Sequence, residues 1–157
     1  MLSLFKKEAC MCPQVKGRAV VNGKPLSNVT VTRSLNYYGI ALYQDYAETD
    51  NNGVFSFPKY SVFSFFANNP FRKNSVHQVI AIEDYDEDDI YTLWATVQPG
   101  INELYSFKEK LENLDCDISN NIVKGEFDDP SLKEKCWALT RCYWSDNFYI
   151  VESFDNN

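Results

Sequence analysis

The chain has 157 residues, 45% of them hydrophobic and 15% aromatic, enough for one domain with a real core and no need of staples. Six Gly and six Pro speak against low complexity or disorder. Against 22 Asp and Glu stand 15 Lys and Arg, a net charge of −7, which argues against direct nucleic-acid binding, since that needs clustered Lys and Arg; such acidity suits a basic protein partner, or serves solubility alone.

Residues 2–5 are too short a run for the apolar core of a secretory signal. No stretch approaches the roughly 20 apolar residues of a membrane span. The expected location is therefore the cytoplasm, with no membrane partner. Residues 14–21 read as a first strand, followed by Asn22-Gly23, a strong hairpin signal because both residues tolerate positive φ. Residues 28–33 form a second strand, and residues 34–42 read as a loop holding Tyr37, Tyr38 and Gly39. A third strand spans 43–49, the Asp50-Asn51-Asn52-Gly53 turn follows, and residues 54–57 form a fourth strand stopped by Pro58.

Residues 59–66 fit either a strand or a short helix, and 67–74 a loop around Pro70. Residues 76–82 and 90–97 pair as a hairpin across the acidic turn 83–89, and Pro99-Gly100 breaks the chain. Beyond it, 101–111 fits a helix or a loop, Leu114, Cys116 and Ile118 alternate as in a strand, and 124–135 is polar and irregular. Residues 136–144 read as the last core strand, and 148–154 as a short edge strand. Many short strands separated by turn signals predict an all-β chain, an antiparallel two-layer β-sandwich. It is expected as one domain over 1–157, with core 14–118, C-terminal strand 136–144 and an irregular or partly helical insertion near 98–135. Val20, Val29, Val31, Phe55, Phe57, Ile80 and Trp94 are its expected buried residues.

Five cysteines, Cys10, Cys12, Cys116, Cys136 and Cys142, are an odd count without C-x-x-C spacing. In a reducing compartment all would be thiols behaving as small apolar residues; disulfides stay open. The one histidine, His77, lies on the strand face opposite Val76, Ile80 and Ile82 and has no motif that would make it a base for a Cys nucleophile.

The run Asp84, Tyr85, Asp86, Glu87, Asp88, Asp89 places carboxylates at the first three ligand positions of an EF-hand loop. Asp89 then stands where the sharp turn needs Gly, and Ala95 where the bidentate Glu belongs. The run is read as a solvated hairpin tip or a docking loop, and no metal or other cofactor is expected. Tyr37, Tyr38 and Tyr43 are candidate contact residues, because Tyr offers wide area and a polar handle at low entropy cost, or else packing over the end of the sandwich.

Residues Val15-Lys16-Gly17-Arg18-Ala19, Asn22-Gly23-Lys24-Pro25-Leu26, Asn28-Val29-Thr30-Val31-Thr32 and Thr49 through Pro58 together resemble the transthyretin-like, or carboxypeptidase-regulatory-like, domain family. The resemblance implies a transthyretin-like sandwich, a fold that hosts many roles. The hydrolases of 5-hydroxyisourate within it need several histidines and a terminal Tyr-Arg-Gly-Ser, which this chain lacks, so no catalytic residue and no small-molecule substrate are expected. Phe5-Lys6-Lys7 ahead of a cysteine, Leu93-Trp94-Ala95 and Cys142-Tyr143-Trp144 further resemble small bacterial proteins of this fold encoded beside polymorphic or type VI secreted toxins. That resemblance implies a non-enzymatic immunity protein that binds a cognate toxin. The alternative is an accessory carbohydrate- or peptide-binding module.

Overall fold

A computed structural model describes residues 6–69, 71–86 and 89–155. Its strands are β1 (Lys7–Cys12), β2 (Val15–Val21), β3 (Lys24–Pro25), β4 (Thr30–Tyr37), β5 (Ala41–Glu48), β6 (Val54–Phe57), β7 (Tyr60–Ser64), β8 (Ser75–Asp86), β9 (Asp89–Pro99), β10 (Leu114–Asp117), β11 (Ile122–Phe127), β12 (Cys136–Thr140) and β13 (Tyr149–Phe154), with one helix, α1 (Tyr105–Leu111), and a 3-10 turn over Phe66–Asn68. The turn chemistry behaves as expected. Asn22 and Gly23 adopt φ of 49° and 79°, as a two-residue hairpin turn requires. Asp50 Oδ1 accepts from the backbone N–H of Asn52 (2.8 Å) and Val54 (2.9 Å), and Gly53 closes the turn at φ +77°, where a Cβ would collide with the Ala19 carbonyl oxygen.

One layer is a seven-stranded sheet in the order β13-β11-β12-β9-β8-β4-β5. The facing layer combines β10-β2-β3, with β6 also on β2, and the β1-β7 pair. The protein is therefore an all-β sandwich, antiparallel except where β10 runs parallel to β2. Between the layers sit Val31, Phe55, Phe57, Ile80 and Trp94, all fully or almost fully buried; Val20 is buried too, and Val29 is half-buried. Trp94 centres an aromatic cluster with Phe107, Phe127 and Trp144 at centroid distances of 5.7, 6.1 and 5.9 Å.

Two polar devices and a disulfide hold the layers. Gln78 on β8 donates to the Met11 carbonyl (2.9 Å) and accepts from Trp94 Nε1 (3.0 Å), while Gln98 on β9 donates to the Cys10 carbonyl (3.0 Å). These buried amides satisfy inward carbonyls of β1, a group too costly to bury unpaired. Buried Arg33 forms a bidentate pair with Asp45 (2.9 and 2.7 Å) and donates to the Pro58 carbonyl (2.8 Å), which ties β4 and β5 to the β6–β7 connection. A Cys116–Cys142 disulfide joins β10 to the segment after β12.

Several boundaries move from the sequence reading. β1 lies in a segment that carried no strand assignment. Residues expected as a 34–42 loop are mostly strand, because β4 runs to Tyr37 and β5 resumes at Ala41. The 98–135 region does hold a helix, yet it also supplies β10 and β11. β11 hides within a polar stretch because its Lys124 and Glu126 point outward between buried Val123, Gly125 and Phe127. With β12 and β13 it makes three of the seven strands of the large sheet, so the core extends well past residue 118.

Candidate functional site

The long β8–β9 hairpin has two unlike ends. In register Val76 pairs with Tyr37 and Gln98 near one end, and Asp86 pairs with Asp89 at the other. Ten residues of strand separate Val76 from Asp86, roughly 33 Å.

The acidic end carries the candidate run. Asp84, Tyr85 and Asp86 close β8 and Asp89 opens β9; Glu87 and Asp88 lie outside the described residues. Tyr85 is part exposed and meets Tyr91 edge-on at 6.1 Å. Burial, then the charges of Asp89 and Asp86, push the Tyr91 hydroxyl up. The Arg141 guanidinium lies 5.5 Å over the Tyr91 ring and donates to the Thr92 carbonyl at 3.3 Å. A cavity of about 430 Å³ opens here between Tyr85, Ile90, Ile118 and Arg141.

The tyrosine candidates divide. Tyr37 is buried, and its hydroxyl donates to Asn74 Oδ1 at 2.6 Å, so it holds the 71–74 loop from inside and offers no outward contact area. Burial pushes its phenol up. Tyr43 is half-buried and stacks on Tyr60 at 3.6 Å. Tyr38, at 76% exposure, is the one of the three that points wholly to solvent.

Around Tyr38 the fold gathers residues that the sequence reading passed over. Phe71 is 96% exposed and Leu42 81%, and Phe63, Phe65 and Phe66 are each more than half exposed. Arg72 links two of these segments by donating to the Tyr38 carbonyl, and Lys6 Nζ sits 5.5 Å over the Phe65 ring. The available signal was one of charge. Residues 51–82 hold no Asp or Glu although the chain has 22.

The remaining chemistry-bearing groups are occupied or inert. Burial pushes the thiols of Cys10 and Cys136 up to about 11 and that of Cys12 up to about 12, so all three stay protonated at neutral pH. His77 is exposed on the outer face of β8. Among the described residues no group of three or more His, Cys, Asp or Glu could hold a metal ion, and no helix is long and apolar enough to cross a membrane. A family profile described as "Domain of unknown function (DUF6795)" matches residues 15–121. No curated protein and no solved structure matches the chain.

Proposed function

Taking as premise that the chain belongs to this domain family, we propose that it is a non-enzymatic immunity protein, of transthyretin-like type, that neutralises a cognate secreted toxin by direct binding. The observation that carries binding is the aromatic end. A folded domain leaves few large apolar side chains together in water unless a partner covers them, and here exposed Phe63, Phe65 and Phe66 line one groove, with exposed Tyr38 and Phe71 in the two segments that Arg72 links beside it. The toxin as partner rests on the resemblance of Phe5-Lys6-Lys7, Leu93-Trp94-Ala95 and Cys142-Tyr143-Trp144 to proteins encoded beside such toxins.

The two ends take different parts in this function. A standard interface of roughly 800 Å² per partner is about 30 Å across, so one compact contact does not embrace both. Phe and Tyr side chains supply anchoring area, while the carboxylates at the far end orient an approaching charged partner. The test is growth of a bacterial host expressing the toxin whose gene this proposal places beside that of the chain. Co-expression of the wild-type chain is expected to restore growth. Tight binding to a sugar or peptide ligand without growth rescue would replace this function with that of an accessory binding module.

A further inference from the structure

The aromatic end contains a groove of about 380 Å³, and its shape comes from two strands that part. β5 and β7 meet where Tyr43 stacks on Tyr60. Beyond that closed end they separate, and Ile40 and Ala41 face Val62, Phe65 and Phe66 across the opening. Among the described residues β5 pairs with β4 alone and β7 with β1 alone. Each strand therefore keeps one edge of main-chain N–H and C=O groups without a strand partner. Apolar walls beside free strand edges are the surroundings that receive an extended polypeptide.

Local charge defines that polypeptide further, and against the expectation from net charge. The residues around the groove are basic: Lys6 stands over Phe65, Arg72 stands over Tyr37 at 5.9 Å, and Lys73 follows it. Glu8, the register partner of Phe63, shares Lys59 (3.9 Å) with Glu103 (3.2 Å). Lys6, Arg72 and Lys73 outnumber Glu8 here, which suits a partner that is acidic at this end.

We propose that this groove receives an extended segment of the partner protein, apolar at its centre and flanked by Asp or Glu. The proposal rests on the binding function above and names the chemistry of what is bound. A bilayer is the other surface that takes up exposed Phe beside Lys and Arg, but a concave groove and free strand edges match a polypeptide and give nothing to a lipid surface.

The experiment is selection of a displayed library of random seven-residue peptides on the immobilised full-length chain. The Phe65→Ser/Phe66→Ser and Arg72→Glu variants, checked by circular dichroism and melting, are run in parallel. Phosphatidylglycerol vesicles are sedimented with the same three proteins. Enriched peptides are expected to combine an apolar centre with flanking Asp or Glu. They should bind the double Phe variant about tenfold more weakly and lose their acidic bias on Arg72→Glu. Basic peptides, enrichment that survives the double Phe variant, or no enrichment above a blank surface would overturn the proposal. So would sedimentation with vesicles that the double Phe variant abolishes. Growth rescue keeps the two questions apart: rescue without selected peptides removes the groove and leaves the neutralising function, and selected peptides without rescue do the reverse.

Discussion

The acidic and aromatic ends of the β8–β9 hairpin are built on one pair of strands and stabilised in different ways. Near the acidic end, the two layers are joined covalently through Cys116–Cys142, next to Arg141 and the cavity beneath Tyr85. At the aromatic end the layers meet through the bond from Arg33 to the Pro58 carbonyl and the Tyr43–Tyr60 stack, and two strand edges are left open. The lesson is that net charge describes the acidic end and misdescribes the aromatic one. A chain at −7 places no Asp or Glu within residues 51–82, the stretch that supplies exposed Phe63, Phe65, Phe66 and Phe71 to the aromatic end.

Breaking the support of the aromatic end should have the largest effect. Arg33→Met leaves Asp45 without its bidentate partner and is expected to cost roughly 3–5 kcal/mol, read from the urea midpoint; a loss below about 1 kcal/mol would mean the pair does not hold β5 in place. Opening the bridge at the other end comes next. A disulfide with sequence separation 26 contributes roughly 3 kcal/mol by loop-closure entropy, so dithiothreitol or Cys142→Ala should lower Tm by about 6–12 °C. Alkylation of the denatured, unreduced protein should label three thiols; five would show the bridge absent, as the reducing cytoplasm expected from sequence would have it.

Asp129 sharpens the comparison through pH, since it belongs to neither end. It accepts from the Ser106 N–H (2.8 Å) and hydroxyl (2.7 Å) and from Ser131. These bonds outweigh its burial and lower its carboxyl from 3.8 to about 2. The folded value lies below the unfolded one, so its stabilisation is complete above pH ~4 and is lost as pH falls toward 2, about 2 kcal/mol in all. Asp129→Asn should flatten the acid limb of the stability curve; an unchanged limb would refute the assignment. The smallest effect belongs to Phe71→Ser, at the most exposed aromatic residue, which should move stability by less than about 0.5 kcal/mol. A larger loss would make Phe71 part of the fold and remove it from the docking surface.

Much of the sandwich was legible because its hairpins depend on local chemistry: Asn22-Gly23, Asp50 to Gly53, and the alternation of Phe55 with Phe57 and of Val76 with Ile80 and Ile82. β11 was hidden because its outward residues are charged while Gly125 marks its inner face with no side chain. β1 was hidden because its inward carbonyls find Gln78 and Gln98 far along the chain, a pairing that no local pattern announces. The acidic run was visible as a contiguous string. The groove was not, since its walls come from residues 40–41 and 62–66, which only the crossing of β5 and β7 brings together. Tyr37 takes the packing alternative of its two readings: its sequence neighbour Tyr38 faces water while its own hydroxyl is held by Asn74.

The central claim, that the chain neutralises a toxin through its aromatic end, is tested most directly by growth rescue with three forms of the protein beside the co-expressed toxin. The wild type and an Asp86→Lys/Asp89→Lys variant should both restore growth, the latter with slower association that responds less to salt. Phe65→Ser/Phe66→Ser, folded and expressed to the same level, should fail. Rescue by the double Phe variant together with failure of the double Asp variant would contradict the account and move the contact to the acidic end.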